Sequence, residues 1–258
     1  MPSAEPFAPA PLPIRERAVI VAELGAVTLL AWLYLVKMPM APADLGGIVA
    51  RIVAPLPMPL VDLWLTFMMW AVMMVAMMLP SASPMVLMYA RIARSRGRAS
   101  TLCVWLFAAG YLVVWTAFSA AATLGQAALQ HASIISNALS ATPIVGAAIL
   151  IATGIYQFTP LKGACLGHCQ SPITFFMTRW RDGPTAAFRM GLEHGAFCVG
   201  CCWLLMTLLF VAGVMNLAWV AAITVFVLIE KLAPFPRAIA NAAGVALIAA
   251  GVVLAIRA

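Results

Sequence analysis

The chain has 258 residues, of which 65% are hydrophobic and 9% are charged, and its mean hydropathy is +1.04. Soluble domains contain about 45–50% apolar and 25% charged residues, so this composition excludes a soluble globular domain and indicates an integral membrane protein. The 15 Lys and Arg against 8 Asp and Glu give a net charge of +7, but their placement marks membrane topology and does not predict a nucleic-acid site.

Hydropathy predicts an all-α fold, a polytopic transmembrane helical bundle with about seven spans, because each span needs about 20 mostly apolar residues. A Pro-rich segment, residues 1–17, precedes the first span and is predicted to be a disordered cytoplasmic tail. Residues 18–258 are predicted to form a single transmembrane domain. Its spans are about 18–36, 61–80, 101–124, 141–159, 190–212, 216–231 and 236–256.

The positive charges orient these spans. Of the 15 Lys and Arg residues, all but Lys37, Arg51 and Arg257 fall in segments on one side of the predicted bundle. Positively charged loops stay in the cytoplasm, so this side is predicted to be cytoplasmic and to include the N-terminus.

The second span is rich in methionine and reads FMMWAVMMVAMMLPSASPM, with Met77 and Met78 in its inner half. Methionines at helical spacing often serve as flexible apolar filling. Thioethers also bind monovalent copper without losing a proton, so a copper site or pathway is the other interpretation, and both stay open. Pro80 and Pro84 are expected to break or kink this helix.

A polar loop is predicted from about 160 to 189, and it contains the sequence CLGHC. Here His168 lies between the thiols of Cys165 and Cys169. A C-x3-C pair alone is a weak signal. Together with the C-x2-C pair of the next span it gives two thiol pairs with adjacent imidazoles, which approaches the pattern of a four-ligand metal site.

The fifth span contains the sequence EHGAFCVGCCW in an otherwise apolar segment. A rotation of about 100° per residue places His194, Cys198 and Cys201 on one helix face. Cys202 lies beside this face and Glu193 about a quarter turn away. A single cysteine here would be read as a small apolar residue, but ionisable groups are costly within a bilayer. This grouping therefore favours a site for Cu(I), zinc or iron.

A predicted turn near residues 213–216 joins the fifth and sixth spans. At 1.5 Å per residue, an antiparallel hairpin brings residue 230 level with about residue 199. Glu230 is therefore a further candidate ligand. The alternative is an ion pair with an arginine near the inner boundary, such as Arg189 or Arg237.

Four blocks of this sequence, MMxAMMLP, CLxxC, HGxxCVGCCW and EKL, resemble an uncharacterised bacterial family of predicted metal-binding integral membrane proteins. The resemblance extends from the second span to the sixth. It implies a metal, without naming the metal or a reaction. The family's pattern does not fix His168, and the positions to which it points are Met77, Met78, Cys165, Cys169, His194, Cys198, Cys201, Cys202 and Glu230.

The leading hypothesis is a soft-metal-binding protein of the bacterial inner membrane that handles copper(I), either by transport or by delivery to a partner. Copper is the expected metal ion, with zinc or iron as the other metals that such ligands suit. The expected partners are the lipid bilayer and a metal-delivering or metal-receiving protein, and not nucleic acid. The candidate ligands, near the cytoplasmic leaflet, are Cys165, Cys169, His194, Cys198, Cys201, Cys202, Glu193, Glu230, Met77, Met78 and His168.

Three alternatives stay open. A thiol-redox enzyme would exchange electrons between the cysteine pairs and a quinone, although thiols on the cytoplasmic side are normally reduced. A metal-dependent enzyme would use Glu193 or Glu230 as acid or base beside the metal. A subunit of a larger membrane complex would account for the apolar composition but not for the row of ligands.

Overall fold

A computed structural model describes residues 11–37, 58–97, 101–132 and 142–257, and this part of the chain is helical without strands. The predicted all-α fold is confirmed. Its helices, in chain order, are α1 (Ile14–Lys37), α2 (Met58–Ser95), α3 (Thr101–His131), α4 (Pro143–Tyr156), α5 (Pro160–Gln170), α6 (Pro172–Arg179), α7 (Pro184–Thr207), α8 (Leu209–Ala212), α9 (Leu217–Leu232) and α10 (Pro236–Arg257).

Within the described ranges, five helical segments are long and apolar enough to cross a membrane, namely α1, α2, α3, the continuous segment of α7 and α8, and α10. The α4 and α5 helices meet at a bend of 67° and add a sixth span if the bent pair is counted as one. The α9 helix, with 16 residues, is shorter than a full span. The predicted count of seven and the cytoplasmic N-terminus therefore stay predictions.

The predicted N-terminal tail, residues 1–17, lies largely outside the described residues. Its last residues already belong to α1, which begins at Ile14. An ion pair between Glu16 of α1 and Arg94 of α2 joins these two helices at the basic end of α2.

The α2 helix continues through both of its prolines to Ser95, beyond the predicted end of the span at residue 80. A proline has no N–H and so leaves the carbonyl four residues earlier without its helical partner. The Ser83 hydroxyl donates a hydrogen bond of 2.8 Å to the carbonyl of Pro80, which is the group that Pro84 leaves free. A neighbouring side chain thus replaces the missing backbone bond and the helix is maintained.

The segment predicted as a polar loop, about 160–189, instead forms two short helices, α5 and α6, before α7 begins. Pro160 occupies the first turn of α5, where its missing N–H is not needed. The Thr159 hydroxyl caps this turn by accepting a backbone N–H. The CLGHC sequence is therefore helical, and the i, i+4 spacing brings Cys165 and Cys169 to one face of α5.

Glycines allow α3 and α7 to pack with their backbones in close contact. A Cβ atom at Gly110 of α3 would lie 2.2 Å from the carbonyl oxygen of Phe188, and one at Gly191 of α7 would lie 2.1 Å from that of Phe107. No larger residue fits without separating the helices, as is common for small residues between membrane helices. This contact fixes the depth and rotation of α7.

The buried apolar side chains of the described residues form two clusters. The smaller cluster surrounds Tyr89, Phe107 and Phe176, near the basic end of α2. The larger cluster contains buried methionines of α2 together with four buried thiols, and these members are Met69, Met73, Met74, Met77, Met78, Cys169, Cys198, Cys201 and Cys202. The fold therefore brings the methionine-rich and cysteine-rich sequences into a single core.

Candidate metal centre

Thiols from two helices meet in the larger cluster. The Sγ atoms of Cys169 in α5 and of Cys198 and Cys201 in α7 all lie within 4.8 Å of one another. Cys202 adds a fourth thiol, with its Sγ atom 3.1 Å from that of Cys201. All four are free and buried, and the side chains on α7 have no exposed surface. The arrangement offers several soft ligands within reach of one ion.

The approach of α5 to α7 depends on Gly200, which precedes the two adjacent cysteines. A Cβ atom at this position would lie 2.7 Å from the Sγ atom of Cys165, so a side chain here would push α5 away. The Tyr156 hydroxyl also donates a hydrogen bond to the Gly200 carbonyl. This close contact brings Cys169, one helical turn after Cys165, to the thiols of α7.

Two polar side chains from other helices contact the sulfur of Cys198. The Lys231 ammonium of α9 donates hydrogen bonds to the Cys198 Sγ at 2.9 Å and to the Ser81 hydroxyl at 3.0 Å. The Tyr111 hydroxyl of α3 lies 3.1 Å from the same Sγ atom and donates a bond of 3.1 Å to the Met78 carbonyl. Both side chains are buried, so the environment of this sulfur is built by α2, α3, α7 and α9 together.

The side chain of Glu230 forms a buried ion pair with Lys162 of α5. Its Oε1 atom lies 2.7 Å from the Lys162 Nζ atom, and the two side chains are 0% and 1% exposed. The carbonyl of Glu230 accepts a 2.6 Å hydrogen bond from the Gln170 side chain. The partner of this carboxylate is thus Lys162, and not Arg189 or Arg237 as considered from the sequence.

The contact between Lys231 and Cys198 shows how α9 lies against α7. The C-terminal end of α9 is level with the cysteines, as the antiparallel hairpin predicted. Glu230 directly precedes Lys231, which contacts the thiol cluster, but its carboxylate is directed to Lys162.

His194 lies in an aromatic environment. Its ring is stacked at centroid distances of 5.4 Å on Tyr111 and 6.1 Å on Phe107, and it meets Phe175 edge-on at 5.8 Å. The residue is 2% exposed, and its Nδ1 atom has no hydrogen-bond partner within the described ranges. Buried polar atoms are normally paired, so this nitrogen has an unused capacity to bind.

The remaining predicted ligands lie at different distances from the thiols. Met77 and Met78 are buried in the same apolar cluster. The Glu193 carboxylate lies outside the thiol group and pairs with Arg179 at 3.1 Å and with Arg189 at 3.6 Å. His168 is not in the thiol group; it is partly buried, and its ring stacks on that of Phe197 in α7 at 4.2 Å.

Three residues at this centre were not predicted from the sequence. Lys231 was counted among the charges that mark the inner boundary, although its position next to Glu230 in an apolar helix was a usable signal. Lys162 was counted in the same way. Tyr111 lies in a continuous apolar run and carried no signal.

Fold and site together define an all-helical protein with helices of membrane-spanning length around a buried cluster of thiols. Residues 67–254 match a protein family, PpoB2, whose description is copper chaperone. The match covers most of the chain, and the chain belongs to this family. The membership agrees with the metal-related family expected from the sequence. No curated protein and no solved structure matches the chain.

Proposed function

We propose that this protein is a copper chaperone of the bacterial inner membrane, which holds Cu(I) at the thiols of α5 and α7 and delivers it to a partner protein. The observation that carries the proposal is the group of Cys169, Cys198 and Cys201, whose Sγ atoms lie within 4.8 Å of one another. Membership of a copper chaperone family supports copper as the cargo.

The residues around the thiols favour Cu(I) over the other metals that thiolates bind. Zinc sites use cysteine, histidine and carboxylate ligands, whereas thioether sulfur favours Cu(I). Met77 and Met78 of α2 are buried in the same cluster as the thiols. The carboxylate of Glu230, the residue before Lys231, is occupied by its ion pair with Lys162. The donors that remain among the predicted ligands here are the thiols, the thioethers and the His194 imidazole, which binds copper as well as zinc.

The buried methionines of α2 also give Cu(I) a route to the thiols. Met69, Met73 and Met77 repeat at every fourth residue, so they follow one face of the helix. All three are buried against the cluster that contains the cysteines. Thioethers bind Cu(I) without deprotonation, so the ion can pass between them without releasing protons in the apolar core.

The site is proposed to lie near the membrane centre, at a depth that can be counted from the basic end of α2. Ser81, which contacts Lys231, precedes Arg91 by ten positions, or about 15 Å along the helix at 1.5 Å per residue. Arg91 and Arg94 of α2, with Arg96 directly after it, form the basic end of this helix, which the positive-inside rule assigns to the cytoplasm. Half of a hydrocarbon core of about 30 Å is also about 15 Å, so the Lys231 contact and the thiols beside it are proposed to lie near the middle of the bilayer.

Cu(I) titration of the purified chain in detergent, without oxygen and against a competing Cu(I) chelator, tests this proposal. The wild-type protein is expected to take Cu(I) from the chelator. The double variant Cys198→Ser, Cys201→Ser is expected to bind at least about 100-fold more weakly, because residues that merely support metal ligands already change affinity about 10–100-fold.

Cys103→Ser is the matched control. Cys103 is also buried, but it belongs to the other apolar cluster, around Tyr89 and Phe107. This variant is expected to bind Cu(I) like the wild type. Wild-type protein that takes up no Cu(I), or a double variant that binds as tightly as the wild type, would contradict the proposal.

A further inference from the structure

Lys231 is a residue at the thiol cluster that ligand chemistry does not explain. An ammonium group repels a metal cation and cannot bind it. The Lys231 Nζ atom nevertheless lies 2.9 Å from the Sγ atom of Cys198, and the residue is only 7% exposed. A favourable interaction must therefore outweigh the repulsion between this ammonium group and the metal cation.

No carboxylate of the described residues lies within ion-pair distance of Lys231. The adjacent carboxylate, Glu230, is held by Lys162 at 2.7 Å. The other polar groups bonded to Lys231 or to its sulfur partner are the neutral hydroxyls of Ser81 and Tyr111. A buried charge without a counter-ion is strongly destabilising, so the negative charge that balances Lys231 must come from the thiols.

We propose that Lys231 is a charge-compensating residue, and that it selects a monovalent cation bound by two thiolates. This inference rests on the proposed function and specifies the class of its cargo. Two thiolates and Cu(I) together carry a single negative charge, which the Lys231 ammonium cancels. The loaded site is then neutral, and a neutral site is the least costly one in an apolar core.

A divalent ion bound by the same two thiolates gives a different net charge at the site. Two thiolates and Zn²⁺ are already neutral, so Lys231 leaves an uncompensated positive charge in the core. The ion pair of Lys162 with Glu230 is neutral as a whole and does not alter this comparison. At a site of two thiolates, Lys231 therefore favours Cu(I) over Zn²⁺ through net charge, in addition to the softness of the ligands. Zn²⁺ would become neutral beside Lys231 only with a third thiolate.

The same balance limits how many thiols bind at one time. Binding of Cu(I) forms two metal–sulfur bonds and transfers no electron. It releases one thiol proton to water, because the negative charge at Cys198 already balances Lys231 in the metal-free protein. A third thiolate would leave one negative charge that Lys231 cannot cancel. Cys198, which contacts Lys231, is therefore one of the two ligands, and the thiols that are not bound keep their protons.

The test compares dissociation constants for Cu(I) and for Zn²⁺ in the full chain, each measured by competition with a chelator of known affinity. Lys231→Met keeps an unbranched apolar side chain but removes the charge. Cu(I) binding is expected to weaken about 100-fold or more, as when one partner of a buried charge pair is removed. Zn²⁺ binding is expected to become tighter than in the wild type.

The ratio of the Cu(I) and Zn²⁺ affinities separates a charge effect from a packing defect, because damage to the fold weakens the binding of both metals. Lys231→Arg keeps the charge and is expected to keep the preference for Cu(I). The double variant Lys231→Ser, Ser81→Lys moves the ammonium from α9 to α2 at the same place, since Ser81 Oγ lies 3.0 Å from Lys231 Nζ. It is expected to restore the wild-type preference to within about tenfold, which a merely structural role of Lys231 would not allow.

The failures of the two proposals are distinguishable. Wild-type protein that binds neither metal would overturn the proposed function. Wild-type protein that binds Cu(I), together with a Lys231→Met variant that has the same ratio of affinities, would overturn the role of Lys231 alone. Loss of preference in Lys231→Met without recovery in the relocated double variant would also overturn it.

Discussion

Two lysines are buried in the core of this protein, and their partners differ. Lys162 faces the carboxylate of Glu230, an anion that is part of the chain. Lys231 faces the sulfur of Cys198, a group whose charge depends on whether a metal is bound. The first pair is complete within the fold itself. The second involves a sulfur that is itself a proposed ligand of the cargo, and this difference separates a structural contact from a functional one.

Glu230→Gln is expected to have the largest effect on stability, because it leaves the Lys162 ammonium buried without a counter-ion. Removal of one partner of a buried ion pair lowers the free energy of unfolding by about 3–5 kcal/mol. Thermal unfolding of the metal-free protein in detergent, followed by circular dichroism, measures the change. The double variant Lys162→Met, Glu230→Leu is expected to recover most of the loss, and a single variant within about 1 kcal/mol of the wild type would contradict the pairing.

Lys231→Met is expected to have a smaller effect on the metal-free protein, since a thiol becomes neutral by keeping its proton. The loss is the pair of hydrogen bonds to Cys198 and Ser81, or about 1–3 kcal/mol at 0.5–1.5 kcal/mol each. The same unfolding measurement applies. A loss as large as that of Glu230→Gln would mean that the two lysines do not differ as described.

Tyr111→Phe is expected to weaken Cu(I) binding by up to about tenfold, which corresponds to one hydrogen bond of about 0.5–1.5 kcal/mol. The variant removes the hydroxyl that lies 3.1 Å from the Cys198 sulfur and leaves Lys162 and Glu230 untouched. Competition with a Cu(I) chelator measures the affinity. Unchanged affinity would show that the hydroxyl takes no part in holding the sulfur.

Ser81→Ala is expected to have the smallest effect. Its hydroxyl accepts a hydrogen bond from Lys231 and donates one to the Met78 carbonyl, but it carries no charge. Stability of the metal-free protein is expected to fall by about 1 kcal/mol, and Cu(I) affinity by less than in Tyr111→Phe. A decrease in Cu(I) affinity as large as that in Lys231→Met would place the essential contact at Ser81 and not at the charge.

The fold class and the grouping of the α7 cysteines were predictable because both depend on helical periodicity, which the sequence carries directly. Cys198 and Cys201 share a face through their spacing, and the same rotation puts Glu193 to one side, where it meets Arg179. The partners of the thiols were not predictable in this way. The contact of Lys231 with Cys198 requires the packing of α9 against α2 and α7, which no local pattern encodes.

The number of spans also depends on features that hydropathy does not measure. An average over about 20 residues ends the fourth span near residue 159 and cannot show that the chain continues as the helix α5, at a bend of 67° to α4. Nor does it detect that Ser83 replaces the backbone bond lost at Pro84 and so lets α2 extend to Ser95. Charge counting likewise gave no sign of the buried contacts of Lys162 and Lys231, since it uses a lysine only as a marker of a membrane boundary.

The bend between α4 and α5 has a consequence for coordination number. Cys198, Cys201 and Cys202 belong to one helix that is locked to α3 through Gly191, so these sulfurs keep fixed relative positions. Cys169 belongs to a helix of 11 residues beyond the bend. A rotation of α5 about that bend would therefore change the distance between the Cys169 sulfur and the other three. The angle between α4 and α5 thus affects whether Cys169 can act as a ligand together with the cysteines of α7.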